Sequence, residues 1–364
     1  MKRHGHLYSQ ITSFENLLLA AKKSQKHKRN QSSVLKFHHN LEAELFKLQH
    51  ELETQTYQPG PYRTFEIYEP KPRLISAAPY RDRVVHHAIC QVIMPPIERT
   101  FINDTYANRI GYGTHRALKR FTHFARSHQY ILQCDIRRYF PNIDHAILKL
   151  LIRRHLKCPR TLALIDTIID SSITPLDIDP TAPLLYFPGD DLLSPLRSKG
   201  LPISNLTSQF FANLYLNQFD HFVSETLNPS HYIRYVDDFA LFSNNREHLT
   251  HARTAIEDYL ALLRLQIHPI KSQLTETHHG ANFLGFRVYP NRIRLRNSYV
   301  KRSYQHFKRL NAKYRNGERS RVQIQASIGS WTTHLTQGNT WKISQRMLTY
   351  LPTECLCLNS EQAI

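Results

Sequence analysis

The residues best placed to do chemistry are three carboxylates in two matching contexts. Asp237 and Asp238 stand side by side in His231-Tyr232-Ile233-Arg234-Tyr235-Val236-Asp237-Asp238-Phe239-Ala240-Leu241-Phe242. The flanking runs are aromatic and β-branched with a period of two, which predicts a β-hairpin with both carboxylates at its tip. Asp is a poor strand residue, and adjacent carboxylates each favour protonation or a bound cation. Taken alone, the pair reads equally well as a solvated turn. Asp135 decides between the readings, because it ends the mostly apolar run Tyr130-Ile131-Leu132-Gln133-Cys134 and so also lies at a strand end. Three carboxylates meeting across antiparallel strands offer hard oxygen ligands to Mg²⁺, with Mn²⁺ as a substitute. Two such ions ~4 Å apart activate an attacking 3′-hydroxyl and stabilise a leaving pyrophosphate. Two other acidic sites are set aside. Asp144 fits the N-cap of a helix running from about residue 144 to 156. Asp190-Asp191 lies in the Pro-, Asp- and Ser-rich stretch 171–199, without flanking strands, and is assigned to solvent.

Strands and helices must bring these groups together. Phe65–Tyr68 and Leu74–Ser76 read as strands joined by Pro70-Lys71-Pro72-Arg73. A helix opens at Arg81-Asp82-Arg83 and is expected to stop at Pro95-Pro96. Lys71, Arg73, Arg81 and Arg83 thus gather around one strand pair and a helix start. Singly each is an ordinary surface cation. Beside a carboxylate site, the group suits a triphosphate, since guanidinium forks match phosphate oxygens. The loop Tyr106–His115 interleaves glycines with aromatic and basic residues but lacks the Gly-Lys-Ser/Thr of a P-loop. Asn108 and Arg109 within it are candidates for contact with a nucleic-acid backbone. Gly200–Gln209 leads into one long helix bearing Phe210, Phe211, Leu214, Phe219 and Phe222. Phe283–Tyr289 and Ile293–Leu295 read as a hairpin about Pro290-Asn291, and from Arg296 the chain becomes a basic helical module.

Charge narrows the partner. The 364 residues carry 48 Lys and Arg against 29 Asp and Glu, a formal net charge of +19. Such an excess implies a polyanion, with nucleic acid the first candidate and a membrane surface the second. No long apolar run or signal peptide is apparent, which points to a cytoplasmic protein, in the bacterial cytosol or nucleoid-associated. The five cysteines include no CxxC pair, and the doublets His38-His39, His86-His87 and His278-His279 lack zinc-site spacing. Most of these histidines read as polar surface or RNA-facing residues.

In order and spacing, Asp135 with Phe140, Gly200–Gln209, Tyr235-Val236-Asp237-Asp238 and Phe283-Leu284-Gly285 resemble the successive motifs of reverse transcriptases. The resemblance covers roughly residues 60–350, and the YxDD hairpin in this company is its most specific part. It implies an α+β right-hand polymerase. A basic N-terminal helical extension (1–56) would precede fingers with part of the palm (57–129). A palm of antiparallel sheet plus helices (130–295) would follow, then a helical thumb and C-terminal tail (296–364). It also implies metal ligation by Asp135, Asp237, Asp238 and the backbone carbonyl of Ile136. Phe140 would collide with a ribose 2′-hydroxyl, and Lys271 would assist the pyrophosphate. Ile203 and Gln209 would border the nucleotide site, and Tyr235 and Trp331 the nucleic acid.

Where most reverse transcriptases carry Gln-Gly and end this region in Ser-Pro, this chain has Ile203-Ser204 and Ser208-Gln209. The apolar residue and terminal Gln resemble the enzymes of diversity-generating retroelements, although Gly is usual at the place of Ser204. Those enzymes copy a template RNA with errors opposite adenine (mutagenic retrohoming) and work with a small basic accessory protein. Group II intron enzymes are next most similar, but no maturase or endonuclease extension is seen after the thumb. A defence-associated reverse transcriptase and a catalytically idle RNA-binding protein with a polymerase fold are the remaining alternatives. The expected partners are therefore template RNA, primer, cDNA strand and dNTPs.

Overall fold

The computed structural model describes residues 3–68, 73–172 and 185–350. Lys71 lies outside the described residues, and Arg73 is described in its backbone only. The architecture is α+β, with three antiparallel sheets among the described residues: β1 (Arg63–Ile67) with β2 (Arg73–Ala77); a four-stranded sheet; and β7 (Ala281–Phe283), β8 (Phe286–Val288) and β9 (Ile293–Leu295). The four-stranded sheet has the order β4 (His231–Tyr235), β5 (Asp238–Ser243), β3 (Tyr130–Asp135), β6 (Gln273–Glu276).

This sheet is covered on both faces. Leu132, Cys134, Tyr232, Phe239 and Leu241 face a core shared with the N-terminal helices, the Tyr80–Glu98 helix and the Leu206–Tyr215 helix. Ile131, Ile233, Ala240 and Phe242 face a second core with the Thr114–Ser127 helix, β7–β9 and the C-terminal helices. Slipping one strand by a residue would exchange its two faces. Each fully buried Leu or Phe is worth about 1.5–3 kcal/mol, so the fit on both faces fixes the register and with it the strand-end aspartates.

Three local expectations are corrected. The Tyr80–Glu98 helix runs through Pro95 and Pro96 for a last turn, which the fully buried Ile97 pins to the core. The predicted long helix after Asn205 breaks at Leu216, continuing as Asn217–His221 and a wider π turn at Phe222–Leu227. The predicted strand from Phe283 to Tyr289 is a hairpin instead. Phe283 pairs with Phe286 about Leu284 and Gly285, both at positive φ (48° and 88°), as a tight primed turn requires.

From Asn297 to Leu348 three helices (Asn297–Arg315, Arg321–Leu335, Trp341–Leu348) pack around Phe307, Ile324, Leu335 and Met347. No helix among the described residues is long and apolar enough to cross a membrane. His86 is buried rather than surface-facing, and loss of hydration pushes its pKa down to about 3.

Candidate active site

Strand pairing brings the three aspartates to one edge. Asp135 at the end of β3 lies directly opposite Asp238 at the start of β5, and Asp238 also faces Tyr235 on β4. Val236 and Asp237 therefore form a two-residue turn, with Val236 at φ 59°. The Ile136 N–H donates to the Asp237 carbonyl at 3.2 Å, tying the hairpin tip to the residue after Asp135. On its other side, the Asp135 carbonyl accepts from His268 N–H at 2.6 Å, and Ile136 bridges to Ile267.

Electrostatics at this edge favour a cation. The Asp238 side chain reaches the surface, yet its pKa is raised well above the usual carboxylate range. Lost hydration among crowded neighbours is the main cause, followed by the charges of Asp237 and Asp135 and a hydrogen bond with Asp135, while Lys271 opposes the shift. Lys271 Nζ sits 2.7 Å from Asp135 Oδ1, an ammonium standing where positive charge is wanted. A donor set of three carboxylates and a nearby backbone carbonyl, all hard oxygens, fits a divalent ion of the Mg²⁺ type.

Phe140, Ile203 and Gln209 come to adjoining segments. Phe140 is half-buried in a short helical turn (Tyr139–Asn142), and its carbonyl accepts from Leu201 N–H at 2.9 Å. Gly200 N–H in turn donates to Ile143 at 2.8 Å, laying the Gly200–Ser204 loop along that turn. Asn205 then ties the loop to β2 and the residue beyond it, donating to Ser76 O at 3.0 Å and accepting from Ala78 N–H at 3.3 Å. Gln209 lies half-buried in the first turn of the following helix.

Ser204, at the place where the resembled motif has glycine, adopts φ 92° with its side chain exposed. That conformation costs a non-glycine residue ~1–3 kcal/mol. Ser204→Gly is expected to stabilise the protein by about 1 kcal/mol, the strain relieved exceeding the added freedom of the unfolded chain. A thermal unfolding midpoint that stays put or falls would mean the serine hydroxyl holds a contact worth the strain.

Several candidates are spent on internal contacts. Arg81 pairs with Glu51 and lies 5.1 Å over the Tyr57 ring, which turns it toward the N-terminal helices. Arg83 Nε donates to Ala78 O at 2.8 Å, with its guanidinium half-buried near Lys28. Arg109 donates to the carbonyls of Ile102 (2.9 Å) and Thr105 (3.0 Å) and stacks on Tyr112, so it holds its own loop together, whereas Asn108 is exposed. Trp331 is core: its Nε1 donates to Ser303 Oγ and its ring meets Phe307 edge-on. Tyr235 packs half-buried against the second core.

Asp144 caps its helix through Ile147 N–H at 3.1 Å, as its position predicts. Asp190, by contrast with its expected assignment, is not solvent-facing. Its carboxylate is buried with Asp144 between Arg197 and Arg264, at 3.2 and 3.1 Å from their guanidiniums. Only Asp191 of that pair faces water, accepting from Ser194. Sequence reasoning also passed over Arg234 and Asp220, a buried ion pair beneath the hairpin.

A profile of the family described as reverse transcriptase (RNA-dependent DNA polymerase) matches residues 68–288. Protein YkfC of Escherichia coli (strain K12) is 23% identical over 299 residues, covering 70% of this chain and 73% of YkfC. Apo telomerase from Candida tropicalis, truncated from its C-terminal domain, superposes with a TM-score of 0.48 at 11% identity. That superposition covers 68% of this chain and 59% of the telomerase chain, less than two thirds of the latter. With a profile match across more than half its length, the chain belongs to the reverse transcriptase family.

Proposed function

We propose that this protein is an RNA-directed DNA polymerase that makes cDNA from an RNA template. The observation that carries the reading is the Asp135–Asp238 register, which sets three carboxylates at one sheet end under a surplus of negative charge. Asp135, Asp237, Asp238 and the Ile136 carbonyl would hold Mg²⁺. When bound, the metal supplies charge neutralisation at the attacking and leaving oxygens. Lys271, which pairs with Asp135, is the proposed aid to the leaving pyrophosphate. Phe140 is the proposed gate against ribonucleotides, and Lys71 with Arg73 the proposed triphosphate grip. Residues 57–129 serve as fingers with part of the palm, 130–295 as palm, and 296–364 as thumb and C-terminal tail.

Within the family we place the protein with diversity-generating retroelements, working beside a small basic accessory protein. The residue behind this assignment is Ile203. In the usual motif a Gln at this place can hydrogen-bond near the nascent pair, whereas Ile offers neither donor nor acceptor. Losing about 1.4 kcal/mol of discrimination costs roughly tenfold in selectivity. Primer extension on a defined RNA, followed by sequencing of the cDNA, tests both levels of the proposal. Errors concentrated opposite template adenines, and reduced by Ile203→Gln, are expected. Uniformly low error would leave a reverse transcriptase and reject the subtype, and extension that ignores the template would reject RNA-directed synthesis.

A further inference from the structure

Arg234 lies in the middle of β4, between the two cores, and its side chain is fully buried. Alternation places it on the face of Tyr232, which packs into an apolar core. A buried Arg–Asp pair can often be exchanged for apolar residues with no loss of stability, so stability alone does not account for it. Its bonds reach forward to the catalytic turn. Nη1 donates to the Val236 carbonyl at 2.8 Å, while Nε and Nη2 fork onto Asp220 Oδ1 and Oδ2 at 2.7 and 2.6 Å. Asn213 Oδ1 accepts from Nη1 at 3.3 Å. Asp220 is itself fixed by Tyr232 OH at 2.7 Å and Thr105 Oγ1 at 3.2 Å.

The Val236 carbonyl needs such a hold. A two-residue hairpin turn requires positive φ, which Gly and Asn adopt readily and a β-branched residue resists. Val236 at φ 59° therefore carries strain of ~1–3 kcal/mol, immediately before Asp237 and Asp238. Asn213 belongs to the helix that begins just after the Ser204 loop, and Asp220 to its continuation. One guanidinium thus joins the hairpin tip to the element that borders the nucleotide.

We infer that Arg234 is a positioning residue: clamped by Asp220, it fixes the Val236 turn and so sets where Asp237 and Asp238 present their carboxylates. The inference rests on the reading of those aspartates as the metal site. Arg234→Lys keeps a charge for Asp220 but cannot span both Asp220 and the Val236 carbonyl. In this variant, kcat for primer extension is expected to fall by on the order of 100-fold, with KM for dNTP little changed. Mn²⁺ affinity of the primer–template complex, followed by electron paramagnetic resonance, is expected to weaken by about tenfold or more. Adding Val236→Gly, which needs no outside hold at that φ, is expected to restore much of both. Should Arg234→Lys fold poorly, the apolar pair Arg234→Met with Asp220→Leu keeps the core filled, and the same losses are expected from a folded protein. Wild-type Mn²⁺ affinity in either folded variant, or losses that Val236→Gly leaves untouched, overturns the inference. Failure of the metal-site reading looks different: Asp237→Ala would then bind Mn²⁺ as the unmodified protein does, and both ideas would fall together.

Discussion

Asp135→Ala and Asp237→Ala are each expected to reduce dNTP incorporation by on the order of 1,000-fold or more, because ligands of the catalytic metal support several kcal/mol of transition-state stabilisation. RNA affinity is expected to hold within about twofold, since two carboxylates make a small part of a basic interface. The two positions fail for related reasons. Asp135 faces Asp238 across the β3–β5 ladder and carries the Lys271 ion pair, and Asp237 is tied to Ile136 through its backbone. Neither side chain fills a core, so truncation leaves no large cavity and the variants should stay folded. Removing either carboxylate also relieves crowding, so the pKa of Asp238 should fall toward the ordinary carboxylate range. Carboxyl chemical shifts against pH check that electrostatic half without any assay of activity. Wild-type extension by either variant sinks the site assignment, whatever the titration shows.

The site's skeleton was legible in the sequence because it is made by local rules. Period-two runs on either side of Val236-Asp237 specify a hairpin, and an apolar run ending in Asp135 specifies a third strand end. What brings them together, the order β4-β5-β3-β6, is a long-range fact that no local pattern specifies. Arg234 shows the limit more sharply. A charged residue in a strand reads as solvent-facing, since nothing nearby in sequence announces Asp220 or Asn213 as its partners. Asp190 was misread for the same reason, its two arginines lying at 197 and 264. Conversely, Arg81, Arg109 and Trp331 looked available because their partners Glu51, Ile102 and Ser303 are chosen by the fold. Asp144 was read correctly, because an N-cap is satisfied three residues away.

Binding to RNA should depend steeply on salt, and the C-terminal helices should set much of that slope. Lys301, Lys308 and Arg315 recur every seven residues along the Asn297–Arg315 helix, close to two full turns apart, so they form one exposed stripe. Between residues 297 and 350 Glu318 is the one acidic residue, leaving that stripe with little internal compensation. A protein that neutralises six to ten phosphates loses roughly 10³- to 10⁵-fold in affinity between 50 and 200 mM salt, through counterion release. Replacing all three cations by Gln keeps good helix formers of similar length, so the helix survives while the charge goes. The slope of log affinity against log salt is then expected to flatten by about two, at roughly 0.7–0.9 per lost contact. Arg81→Gln supplies the contrast, because that guanidinium is paired with Glu51 and should leave the slope unchanged. Parallel salt plots for the triple variant and the unmodified protein would take these helices out of the interface. A flat plot for the unmodified protein would mean that the +19 charge serves a partner other than a polyanion.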